Sequence, residues 1–393
     1  MDKLVPATRS YSWGSRTLIP ELRGQTPSST PVAELWYGAH PADPSGIAGS
    51  DHTLDEKLAA NPQELGKWAD NGLPFLMKLL AAGEVLSLQA HPSMEQAIEG
   101  FERENALGIG LDDKQRNYKD ASHKPEILIA LTPFYAMAGF RPLARTLELF
   151  RALDCPELDR YVGMLAEGDS PETESDNLRA LFTTWITIPT SVRHELISAI
   201  IAAAPRVPDG WMRTVMNTVV EINQRYPGDV GVLGAILLNH IELAPGEAVF
   251  LAAGNLHSYV RGLGVEVMAN SDNVLRGGLT PKYVDVPELV KVLKFASLPE
   301  PRVPVSQAGA VAEYDTPVAE FSVFRVDFPA VPEANLSQVR GPGIVLCTKG
   351  TVSVNGTSLT PGEAAWLPAN GAPVVAHSDS DGQLFIAAAR DLK

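Results

Sequence analysis

Along residues 86–91 apolar and polar side chains alternate: Leu86, Leu88 and Ala90 interleave with Ser87, Gln89 and His91. A period of two is that of a β-strand, so the amide of Gln89 and the imidazole of His91 leave the same face, a ready pair of metal ligands. The preceding run Leu73-Pro74-Phe75-Leu76-Met77-Lys78-Leu79-Leu80 is almost wholly apolar and too short for a long helix, which predicts a buried strand beside that pair. An unpartnered amide and imidazole in such a place are costly. A bound cation satisfies both; the competing reading is a core histidine held by a backbone carbonyl.

The same patterning divides the rest of the chain. Tyr11-Ser12-Trp13-Gly14-Ser15 and Ala33-Glu34-Leu35-Trp36-Tyr37-Gly38-Ala39-His40-Pro41 mix aromatics with glycine turns, as short strands do. Ser93 followed by Gln96 is a capping-box signature, with Ala97, Ile98 and Phe101 on the apolar face of the helix it starts. After a charged connection at 112–120, Pro125 opens an apolar strand where its missing amide proton is tolerated, and Glu126 stands at the mouth of that strand. Between about 142 and 239 the apolar spacing becomes helical, as in Leu143, Leu147 and Phe150 and over 176–188, 192–204 and 211–225. Strand signals return after Gly234. A Pro-Gly turn feeding an apolar strand then occurs twice at a constant offset of 116 residues, Glu247 to Glu363 and Leu251 to Leu367. Matched repeats of this kind predict two related β-sandwich or barrel units of the jelly-roll type with an all-helical insertion in the first. The offset carries His257 to Pro373, so the second unit lacks that side chain.

Composition narrows the function. With 393 residues, 45% hydrophobic and 20% charged, the chain is globular and large enough for two or three domains. A net charge of -15 and the lack of a basic cluster argue against nucleic acid, while a few lysines and arginines still suffice for one small anion. Cys155 and Cys347 are the only cysteines, so neither a disulfide framework nor a thiolate zinc site is expected, in keeping with a reducing cytoplasm. The first residues lack a secretion signal's apolar core, and no run is apolar enough to span a membrane.

Several of these motifs resemble the type I phosphomannose isomerases, zinc-dependent mannose-6-phosphate isomerases of the cupin superfamily. The resemblance rests on Ala33-Glu34-Leu35-Trp36 with Gly38-Ala39-His40-Pro41, on Leu88-Gln89-Ala90-His91-Pro92, on His123-Lys124-Pro125-Glu126, and on Ser271-Asp272-Asn273-Val274-Leu275-Arg276 with Gly278-Leu279-Thr280-Pro281-Lys282. It covers essentially the whole chain. It implies one zinc ion per chain, bound by Gln89, His91, Glu126 and His257, with Arg276 in the catalytic site. It also implies a discontinuous catalytic cupin domain (1–141 and 235–310), a helical domain (142–234) and a C-terminal cupin-like domain (311–393) without ligands. A cytoplasmic monomer acting on a small sugar phosphate, with neither membrane nor nucleic-acid partner, completes the expectation. Tyr37 departs from the smaller or unbranched residue of many members, at a position that is not a ligand.

The residues suit that chemistry. Two imidazoles, a carboxylate and an amide oxygen fit zinc and leave the ion positive, able to stabilise the enediolate of an aldose–ketose interconversion. Glu266, an acid in the apolar strand Leu263-Gly264-Val265-Glu266-Val267-Met268, is the preferred base, with Val265 and Val267 facing the other way. Lys124 and His123 are rival acid or base groups. Arg276 and Lys282, in a glycine-rich segment, are placed to bind phosphate or steady the enediolate, and Ser87 to add a hydroxyl donor. His40, His52, His240 and His377 read as structural, and His194 and Lys119 as solvated. Two other classes compete: a non-haem iron oxygenase, against which Gln89 fills an otherwise open position, and a non-catalytic sugar-binding cupin.

Overall fold

The computed structural model describes residues 1–165, 170–328, 333–336, 338–339 and 341–390. It is a mixed helix and sheet protein with several antiparallel sheets. At its centre lies the 13-residue strand His257–Ala269. Its second half is sandwiched between Phe75–Ala82 and Glu126–Ala130, and its first half pairs instead with Leu88–Ala90 and Phe134–Phe140. A register shift between Tyr259 and Arg261 marks the corner. Gly262 follows with φ 129°, and a Cβ there would lie 2.7 Å from the Phe134 ring, so only glycine makes this bend.

Phe75–Ala82 is buried at every position, as its run of apolar residues, broken only by Lys78, predicts. One of its faces carries Met77 and Leu79, which with Val265, Val267, Ile127 and Ile129 pack against Trp366, Phe385, Ile344 and Val323 of the C-terminal sheet. The opposite face, bearing Lys78 and Glu266, is left to line a cleft. Val265 and Val267 do face away from Glu266.

The repeated motif is visible in three dimensions. Ala248–Leu251 and Ala364–Leu367 each follow a glycine with positive φ, Gly246 and Gly362. Tyr37 donates its hydroxyl to the Gly362 carbonyl at 2.8 Å, and Tyr314 donates to the Gly246 carbonyl at 2.9 Å, so each turn is held by a tyrosine packed across the same core. Tyr37 is fully buried; its departure from a smaller residue serves this junction. The N-terminal strand Asp2–Val5, counted from sequence with the first β unit, is hydrogen-bonded into the eight-stranded C-terminal sheet through Lys3 opposite Ala365.

Every regular element described between 143 and 235 is helical. Leu147, Phe150, Trp185, Ile197, Met216 and Val219 share one core with Leu88, Phe140 and Leu275 of the strands beneath. Helix Met94–Ala106 is capped as expected, Ser93 Oγ accepting from Gln96 N and the Gln96 side chain from Ser93 N. Residues 11–13 turn, the Gly14 amide closing onto the Tyr11 carbonyl, and Gly14 and Ser15 make only isolated antiparallel bridges, to Ala82 and Val32, in place of the expected continuous strand.

Candidate metal centre and active-site cleft

The short strand Leu88–Ala90 sits between two partners, with Gln89 opposite His257 on one side and opposite Arg276 on the other. Directly opposed residues of antiparallel strands project from the same face. Gln89, His257 and Arg276 therefore point together into a cleft of about 380 Å³. His91, just beyond the strand, is 1% exposed.

The two histidines are oriented alike. His91 Nδ1 donates to the Asn273 carbonyl at 2.7 Å and His257 Nδ1 to the Asn255 carbonyl at 3.0 Å, which leaves each Nε2 with its lone pair. Those Nε2 atoms face the two oxygens of Glu126, at 3.3 Å from His91 and 3.5 Å from His257. Burial, only partly opposed by Glu126, pushes the His91 imidazole down to about 4, so it is neutral at physiological pH. Its Nε2 finds no hydrogen-bond partner among the described residues. Lone pairs aimed at a carboxylate repel it, and a cation between them reverses that sign. The three ligand atoms lie within 4.8 Å of one another, the one such His/Cys/Asp/Glu group among the described residues. Gln89 donates its amide nitrogen to Ser87 Oγ at 3.1 Å, so its oxygen is the atom left to turn toward an ion. The residues fit zinc, and for His91 the two readings are not exclusive: its Nδ1 is held by a backbone carbonyl while its Nε2 is left able to bind an ion.

The opposite wall is a ladder row, Trp36 beside Lys78 beside Glu266. Lys78 Nζ lies 2.8 Å from Glu266 and 3.7 Å from Glu34, all of them under 9% exposed. Burial would strip the Lys78 proton, but Glu266 and Glu34 outweigh it and hold the ammonium charged. Burial raises the proton affinity of Glu266, and Lys78 offsets only part of that. Burial would also raise Glu126, yet the Lys124 ammonium at 2.8 Å holds it well below the usual carboxylate range. At the far end Arg276 and Lys282 face the cleft, depressed by burial and, for Lys282, by Arg276; no carboxylate pairs with either among the described residues.

Residues 1–143 match the model of the type I phosphomannose isomerase catalytic domain. The mannose-6-phosphate isomerase of Escherichia coli (strain K12) is 37% identical over 389 residues, 95% of this chain and 96% of the relative. The chain belongs to the type I phosphomannose isomerases. A fungal member, the mannose-6-phosphate isomerase of Cryptococcus neoformans, is 34% identical over 400 residues, covering 88% of each chain. Among solved structures, the mannose 6-phosphate isomerase from Salmonella typhimurium bound to substrate (F6P) and zinc aligns with TM-score 0.89 at 34% identity over 99% of both chains. A mannose 6-phosphate isomerase bound with zinc and yttrium aligns equally well, with TM-score 0.89.

In this phosphomannose isomerase family member the cleft brings together Ser87, Gln89, Lys124, Glu126, His257, Glu266, Arg276 and Lys282, with His91 buried behind Glu126. His123 is instead bonded to Glu320 at 2.6 Å and does not line the cleft, which separates it from Lys124 as an acid or base. Lys78, Glu34 and Tyr259 are cleft residues that sequence reasoning passed over. For Lys78 the signal was present, a single charge inside an otherwise apolar strand, which burial permits only when it is paired. His40 abuts Asp272 at 3.6 Å, and His240 Nε2 donates to the Ala235 carbonyl at 2.9 Å, in keeping with structural roles.

Proposed function

We infer that this chain is a zinc-dependent mannose-6-phosphate isomerase, interconverting mannose 6-phosphate and fructose 6-phosphate. The observation that carries the reading is the convergence of His91, Glu126 and His257 in one buried cluster at the wall of a cleft that also holds a buried acid, Glu266, and two cations, Arg276 and Lys282, without a carboxylate partner among the described residues. We assign Gln89, His91, Glu126 and His257 as the ligands of one zinc ion. Zinc bound there supplies Lewis acidity toward the enediolate oxygens. Glu266 moves the proton between the first and second carbons of the open sugar, its carboxylate made more basic by burial. Lys78 fixes that carboxylate in place at 2.8 Å, and Lys124 does the same for Glu126. Arg276 and Lys282 hold the phosphate, with Ser87 donating to a sugar oxygen. A coupled assay for fructose 6-phosphate formed from mannose 6-phosphate tests the reading: turnover is expected to vanish on chelation and return with zinc, and zinc-loaded protein without turnover contradicts it.

Two side-chain changes probe the roles. Arg276→Ala should keep a full zinc complement while lowering kcat/KM by about 100-fold, the worth of a charge-assisted contact, with a raised KM for the phosphorylated sugar. Lys78→Met removes the charge that lowers Glu266. Because the deprotonated form is the active one, the acid limb of kcat/KM should move to higher pH, by about one pH unit, with zinc content unchanged.

In this reading residues 1–141 and 235–310 make up a catalytic cupin jelly roll, save that strand Asp2–Val5 joins the C-terminal sheet, 142–234 a helical domain, and 311–393 a cupin-like domain without ligands, Pro373 standing where the repeat would place a histidine. The chain acts as a cytoplasmic monomer, without nucleic-acid or membrane partners. Its two cysteines, both buried and free, suit that compartment. Light scattering on the zinc-loaded protein at one chain's 42.2 kDa tests the oligomeric part.

A further inference from the structure

A second cleft, of about 340 Å³, opens where helix Trp211–Arg225 meets strands Phe134–Phe140 and Leu238–Leu243, and it shares no lining residue with the metal cleft. Its back wall holds Arg141, 4% exposed. Nη2 of that guanidinium donates to the Ile236 carbonyl, but Nε and Nη1 meet no acceptor among the described residues. Arg145, in the first turn of helix Leu143–Leu153, follows, and both guanidiniums lie over the Trp211 ring, their central carbons 5.3 and 4.1 Å from its centroid.

Two positive charges thus share one wall without a buried carboxylate between them. Glu242, at the rim, is exposed and accepts from the Tyr135 hydroxyl at 2.9 Å. Arg145 has Glu148 at 3.4 Å, with both half in solvent. His240, also in the wall, is kept neutral, pushed down to about 4 by burial. Burial and Arg145 push the Arg141 guanidinium down to about 9, with no acid acting to raise it. Stacking on an indole compensates only part of the cost of burying a guanidinium. The charge calls for a counter-anion.

We propose that this cleft is an anion site for a dianionic phosphoryl group, carried by inorganic phosphate or by a small phosphomonoester, held by Arg141 and Arg145 beside Trp211. A dianion matches two guanidiniums in charge, and their planar donor forks match phosphate oxygens in geometry. The volume is that of a small-molecule site.

The test removes the phosphate end of the metal cleft first. In full-length zinc-loaded Arg276→Ala/Lys282→Ala protein, titration calorimetry with inorganic phosphate and separately with glycerol 3-phosphate should show one remaining site. Adding Arg145→Ala, a half-exposed change that leaves the fold intact, should weaken that site by at least about tenfold. Arg145→Ala alone should leave isomerase turnover in phosphate-free buffer unchanged. Tighter binding of phosphate than of glycerol 3-phosphate identifies the free ion as the occupant, and the reverse identifies the ester. Loss of all binding in the Arg276→Ala/Lys282→Ala protein, or residual binding indifferent to Arg145→Ala, overturns the proposal.

Discussion

Replacing His257 by alanine is expected to empty the metal centre and to lower kcat/KM by about 1000-fold or more, the worth of several kcal/mol of charge stabilisation at the developing enediolate. The imidazole is pre-set for ligation, with Nδ1 held by the Asn255 carbonyl at 3.0 Å and Nε2 aimed at Glu126. Its loss leaves Glu126 and His91 unable to complete a zinc site, and elemental analysis after dialysis should find zinc well below one ion per chain. Gln89→Ala should act in the same direction, losing metal and activity together. Zinc retained at full stoichiometry in the His257 variant would be incompatible with the ligand set.

Glu266→Gln is expected to separate metal from chemistry. The amide keeps the shape and a hydrogen bond to Lys78 but accepts no proton, so kcat should fall by about 100- to 10,000-fold while zinc content and KM change little. Exchange of the substrate's transferable hydrogen with solvent deuterium should fall in parallel. A variant that retains wild-type exchange moves the base elsewhere, to Lys124 or to Tyr259, whose buried hydroxyl also lines the cleft.

The sequence made some of this legible because local patterns and global packing agree. The alternation around Gln89 places it on the face that the ladder confirms, and the Pro125-Glu126 boundary matches the first residue of a buried strand. What it hid depends on long-range geometry. His257 and Glu266 are an odd number of residues apart, which in a straight strand puts them on opposite faces. The bulge after Tyr259 and the turn at Gly262 restore both to one cleft, and nothing in the local spacing announces that. Glu266 looks isolated in sequence because its partner Lys78 comes from a strand far earlier in the chain. The pairing of Asp2–Val5 with the C-terminal sheet is equally invisible, since a short strand carries no mark of its partner.

Anomalous diffraction at the zinc edge from crystals of the zinc-loaded protein is the most direct measurement. One peak per chain is expected, bonded at about 2.0–2.2 Å to Nε2 of His91, Nε2 of His257, a Glu126 oxygen and the Gln89 amide oxygen. A peak bound elsewhere, or a fully loaded centre from which either imidazole stands apart, would contradict the account.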